Sequence, residues 1–133
     1  MLRIDKLFVT IGFLWLIAGA AFGTWLGASG HHNFANSHAH TGLLGFVASV
    51  LFGLVHRGWP ELRSSRLALP QLAIYETGAA ILILGKVMVD RTGQENVFLF
   101  VGSITVIIGA AMFLWLFWKG ALATDTRSFA PAE

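Results

Sequence analysis

Four of the five histidines in this 133-residue chain fall within ten residues, at His31, His32, His38 and His40. Neutral imidazole is the commonest protein metal ligand, and clustered histidines read as metal sites. The chain has no cysteine, which removes disulfides, thiolate ligands, iron–sulfur clusters and covalent c-type haem attachment. Any metal must therefore be held by His, carboxylate, Met or Tyr. Two readings follow from the cluster alone. One is a copper or zinc site that uses all four histidines on one face of a membrane. The other is a single ligand with companions, because His38 and His40 point to opposite sides if both are helical. A third, plainer reading makes the histidines boundary residues of a structural subunit.

A second set of polar groups lies later in the chain. Tyr75, Glu76, Lys86 and Asp90 share an arc of about 100° if their segment is one helix. Lys86 and Asp90 are one turn apart and suited to an ion pair. Ionisable groups inside an apolar span are costly and face a bundle interior by default. Tyr75, Glu76 and Lys86 are thus the candidates for catalysis. His56 is roughly 24 Å along a helix from His40, too far to share its site. Beside Arg57, it reads as an interfacial anchor.

The elements that must position these groups are membrane helices. The hydrophobic fraction is 56% and only 12% of residues are charged, against roughly 25% in a soluble domain. So small a soluble fold could not hide that much apolar surface, so lipid is the solvent. Four apolar runs, 7–27, 39–56, 70–89 and 97–118, each come near the roughly 20 residues needed to cross a bilayer. A polar tail, 119–133, follows them. The first run is too long for the apolar stretch of a signal peptide, and it reads as a retained helix. Ser37 or Asn36 suits the N-cap of the second helix, Pro70 the first turn of the third, and Asn96 the cap of the fourth. The expected fold is all-α: an integral membrane four-helix bundle in a single domain.

Charge sets the expected orientation. Arg3, Lys6, Arg57, Arg63, Arg66, Lys119 and Arg127 fall on one side, and Lys86 and Arg91 on the other. Positive-inside bias then puts both termini in the cytoplasm and the histidine-bearing loop outside. Nine Lys and Arg form no patch dense enough for nucleic acid. Trp25, Trp59, Trp115 and Trp118 fit interfacial belts, whereas Trp15 lies mid-span. Small residues line the helices for close packing: Gly12, Gly19, Gly23 and Gly27 on the first, Gly42, Gly45, Ser49 and Gly53 on the second, Gly102 and Gly109 on the fourth.

In a regular second helix, His40 points away from the glycine face, above Leu43, Leu44, Val47 and Leu51. Such an apolar wall suits the face of a porphyrin. The stretch Ser37-His38-Ala39-His40-Thr41-Gly42-Leu43-Leu44-Gly45 resembles the Ala-His-Ser/Thr-Gly segment that opens the second helix of styrene oxide isomerase. More distantly, it is similar to the His-bearing helix of haem–copper oxidase and nitric-oxide reductase catalytic subunits. The resemblance implies a small protein of the cytoplasmic (inner) membrane of a bacterium that binds haem b between the subunits of a homotrimer. Its axial ligand would be His40, and ferric iron would act as a Lewis acid on an epoxide oxygen. Departures accompany it. Phe46 stands where the isomerase has Asn, Leu82 or Ile83 fills the region of its catalytic Tyr, and Tyr75 falls two turns earlier. A redox or gas-handling membrane cytochrome is the alternative within the same resemblance. The substrate would be a small apolar molecule or a gas. His31, His32 and His38 are near enough in sequence to compete for the second axial position. Lys86 or Arg91 would meet the anionic propionates.

Overall fold

A computed structural model describes residues 3–128 of the chain, with side chains as far as Gly120. Four long helices account for nearly all of it: α1, Ile4–Ser29; α2, His32–Gly58; α3, Ala68–Thr92; and α4, Val97–Ser128. All four have a stretch long and apolar enough to cross a membrane, so the chain is an all-α, multi-pass membrane protein. The ends of α1 and α3 are closed by glycines in the left-handed region. Gly30 (φ 72°) donates its N–H to Leu26 O, and Gly93 (φ 73°) donates to Val89 O. Pro60 opens a single turn, Pro60–Arg63, that carries the chain from α2 towards α3. At the start of α4, Asn96 Oδ1 accepts from Leu99 N at 3.0 Å while its Nδ2 donates to Gly85 O at 2.9 Å. The cap therefore also ties α4 to α3.

Several boundaries differ from those the hydropathy suggests. α2 starts at His32, a turn or more before Ala39, so Ser37 is inside the helix rather than its cap. Similarly, α4 runs through Ser128, into the stretch expected as a polar tail. Helix geometry continues past the apolar core because the flanking residues keep helix propensity in the interfacial zone.

Small residues make the close contacts, and they pair the helices as two hairpins. Between α1 and α2, a Cβ on Gly12 would stand 2.7 Å from Val50, and one on Gly53 2.7 Å from Val9. A Cβ on Gly45 would enter the Trp15 ring at 2.5 Å. Between α3 and α4, Gly78 lies against Thr105 and Val106, Gly85 against Leu99, Gly102 against Leu82 and Gly109 against Tyr75. Each of the α3–α4 contacts is to backbone on the facing helix, which is what small residues permit in lipid. Gly27 and Gly42 depart from the expected stripes, with open space at both.

The behaviour of Gly42 has a structural cause. Buried positions on α2 recur at every fourth residue: Ser37, Thr41, Gly45, Ser49 and Gly53. A straight α-helix rotates such a row by roughly 40° per step, about 160° over four steps. The segment Thr41–Val47 instead adopts π-helical hydrogen bonding, whose wider turn absorbs the drift. The small residues thereby stay in one line against α1 and α3. Tyr75 supports this segment from α3 by donating its hydroxyl to Leu44 O at 3.0 Å.

The two hairpins meet over a core of Phe8, Leu72, Tyr75, Ala79 and Leu82, with Leu44, Ala48 and Phe52 packed on its rim. Phe52 meets Tyr75 edge-on, with ring centroids 4.8 Å apart. Polar bonds cross the same seam, and they assemble the site described next.

Candidate functional site

His40 ends the first regular stretch of α2 and stands immediately before the π segment. Its Nδ1 is 2.8 Å from the carbonyl oxygen of Asn36, one turn back. A carbonyl can only accept, so Nδ1 carries the proton and Nε2 keeps the lone pair. Metal-ligating histidines are commonly fixed in this way by a backbone carbonyl on the other ring nitrogen. The side chain is half-buried. Next to it lies a bare apolar row, Leu43, Val47 and Leu51, which is 40–63% exposed. This corrects the wall expected from regular helix geometry. Because the π segment shifts the register, Leu44 packs inward on the core instead of joining the row.

The turn that carries His40 is anchored from α3. Asp90 Oδ2 accepts from both Ser37 N, at 3.0 Å, and Ser37 Oγ, at 2.6 Å. The carboxylate therefore serves as an N-terminal cap supplied by another helix, satisfying an orphan N–H of the first turn. Its other oxygen pairs with Lys86 Nζ at 2.5 Å, with both side chains largely buried. Asn33 Nδ2 adds a bond to Asp90 O at 3.0 Å, and Ser37 O accepts from Thr41 Oγ1 at 2.9 Å. Lys86, Asp90 and Ser37 thus hold in place the backbone turn whose Asn36 carbonyl orients His40. The i, i+4 ion pair was legible in the sequence. Its extension to Ser37 was not, since no local signal relates residues 53 apart.

The other histidines are not gathered round His40. His31 is exposed and stacks on Trp25 of α1, with ring centroids 5.0 Å apart. His32, also exposed, begins the 3₁₀ turn His32–Phe34. His38 turns towards α1, where its ring lies over Gly23 and edge-on to Phe22, and its Nδ1 is buried without a partner. Among the described residues, no three His, Cys, Asp or Glu side chains are grouped to hold a metal ion. A four-histidine cage is therefore not assembled within one chain. Arg91 is exposed at the same end of the bundle as Asp90.

Glu76 occupies a different place. It is half-buried about 12 Å from the start of α3. Oε1 accepts from Ser49 Oγ at 2.6 Å and Oε2 from Trp15 Nε1 at 3.1 Å. Trp15 stands mid-span, away from either aromatic belt, because its indole N–H has this buried partner to satisfy. Tyr75, 2% exposed, commits its hydroxyl to Leu44 O. Neither of these two shares the outward edge where His40 stands.

His56 departs from the interfacial role its neighbour Arg57 suggests. It is fully buried, stacked on Phe8 with centroids 5.6 Å apart and edge-on to Phe113 at 5.5 Å. Both ring nitrogens lack a hydrogen-bond partner, as does Oε1 of the buried Gln71, whose Nε2 donates to Gly109 O at 3.2 Å. Position 56 turns inward because the C-terminal end of α2 packs against both α1 and α4.

Compared with known proteins, the chain matches no family model, no curated protein and no solved structure. A functional reading therefore rests on the residues and their geometry.

Proposed function

We propose that the protein is a haem b-binding membrane protein that ligates iron through Nε2 of His40. The observation that carries this reading is the bond from His40 Nδ1 to Asn36 O, which leaves Nε2 as a free, oriented lone pair. Supporting it are the bare row Leu43, Val47 and Leu51 beside the imidazole and the π segment directly after it. Short π segments inside helices recur at functional sites. A porphyrin needs an apolar face and a basic ligand at its centre, and the donor set fits that need.

The remaining residues take roles around His40. Ser37, Asp90 and Lys86 are positioning residues, holding the turn that sets the ring's orientation. Lys86 is already committed to Asp90, which leaves the exposed Arg91 as the cation for the propionates. Since the row beside His40 is on the outside of the chain, a second copy would close the site, in keeping with the trimer that the resemblance implies.

Haem held by His40 would supply Lewis-acid chemistry towards an epoxide oxygen or gas binding. The chain is accordingly read as a relative of the epoxide isomerases, with a membrane cytochrome as the neighbouring reading. Its substrate is a small apolar molecule reaching the site from lipid. Tyr75 and Glu76 hold the framework in this reading, because their polar atoms are occupied within the bundle. The charge asymmetry favours cytoplasmic termini, and the resemblance implies a bacterial inner membrane.

An absorption spectrum of protein purified with haem supplied tests the proposal. A Soret band that His40→Ala removes and His38→Ala keeps is expected. A low-spin bis-histidine spectrum would move the reading from isomerase to electron carrier.

A further inference from the structure

Glu76 contributes to a second feature, separate from His40. Between α1 and α3, a groove of about 330 Å³ is lined by Ile11, Leu14, Trp15, Ala18 and Glu76. Leu14 and Ala18 are exposed, so the groove opens on the surface that the membrane covers. Four of its five lining residues are apolar or aromatic, and Glu76 is the single charged group.

The bonding of Glu76 selects the ligand. Both carboxylate oxygens accept from neutral donors, Ser49 Oγ–H on one and Trp15 Nε1–H on the other. Two donors on two oxygens satisfy Glu76 as an ionised carboxylate, the form that a bound cation would require. Among the described residues no Lys or Arg pairs with it, in contrast to Asp90 with Lys86 and Asp5 with Arg3. A carboxylate in a membrane span is costly without an opposite charge. Here the protein supplies the hydrogen bonds, and either a proton or a cation entering from the groove must supply the neutralising charge.

We propose that this groove binds a lipophilic monovalent cation, an ammonium or phosphonium with an apolar body, whose charge is neutralised by Glu76. The apolar walls take the body of the ligand, as in small-molecule sites where a few polar groups fix orientation. Ser49 and Trp15 hold the carboxylate facing the groove, and Trp15 places an aromatic ring beside the cation. An anion would meet the like charge of Glu76, and a neutral lipid tail would gain nothing from the carboxylate, so charge complementarity favours a cation.

Binding of radiolabelled tetraphenylphosphonium to the detergent-purified full chain tests this, with triphenylphosphine oxide as a neutral competitor of similar shape. Saturable binding is expected, weakened at least tenfold in Glu76→Gln and displaced poorly by the neutral oxide. Ala18→Phe, which keeps the carboxylate but fills the groove, should weaken it comparably while the protein elutes as a folded species. Three results overturn the proposal: no saturable binding to the wild type, equal displacement by the neutral oxide, or wild-type affinity in Ala18→Phe or folded Glu76→Gln.

Discussion

The two long faces of α2 are built to opposite rules. Its inward face carries Ser37, Thr41, Gly45, Ser49 and Gly53, all buried, so close to α1 that Gly45 leaves no room for a methyl group beside Trp15. Its outward face carries Leu43, Val47 and Leu51, each at least 40% exposed. In water this arrangement would be inverted. In lipid, the hydrophobic effect does not drive helices together, so small residues and hydrogen bonds mark what is packed. Large apolar residues then mark what is left for lipid or a ligand. His40 stands on the border between the two faces, its Nδ1 tied to the helix and its Nε2 unused.

Substitutions on the inward face should have the largest effects. Gly45→Leu must displace the Trp15 ring, which in turn holds Glu76. A loss of about 3 kcal/mol or more is expected, at the upper end of overpacking costs, read as a collapse in thermal stability in detergent. A tolerated Gly45→Leu would mean that α1 and α2 are not in the contact described. Next in size is Asp90→Ala, which leaves Lys86 unpaired and removes the cap on Ser37. It should cost about 2–3 kcal/mol, because breaking a largely buried pair strands the remaining charge. Asp90→Asn, retaining an acceptor for Ser37, should cost less.

Asn96→Ala removes the cap of α4 and its tie to Gly85, for about 1 kcal/mol. Leu51→Ala, on the outward face, should lie within about 0.5 kcal/mol of the wild type without haem. With haem it should lower retention of the cofactor. If Leu51→Ala destabilised the haem-free protein as much as Asp90→Ala, the contrast between the faces would be lost.

How far this was legible in the sequence differs by feature. The four spans followed from hydropathy, because the bilayer sets a length that a single run of residues reports. Close helix contacts at Gly12, Gly45, Gly53, Gly102 and Gly109 followed from small-residue spacing. The asparagine cap of α4 was visible as well, since a cap acts within one turn of itself.

Features that depend on long-range partners were not legible. The π segment adjusts register by an amount that no local propensity encodes, so Leu44 was expected on the outward wall and Gly42 on the inward line. Ser37 or Asn36 was expected as the cap of their own helix, whereas both lie inside it and Asp90 from α3 accepts the Ser37 N–H. His56 was read from its neighbour Arg57, but its burial depends on α1 and α4 packing around it. Trp15 offered an unused clue. An indole in mid-span needs an acceptor, and Glu76 was the nearest candidate in depth.

The role of His40 is tested most directly by the absorption spectrum of the purified chain with haem supplied, compared with those of His40→Ala and His38→Ala. Haem should bind to the wild type and to His38→Ala, giving a Soret band in both, and His40→Ala should be colourless. A colourless wild type, or a Soret band unchanged in His40→Ala, would contradict the account.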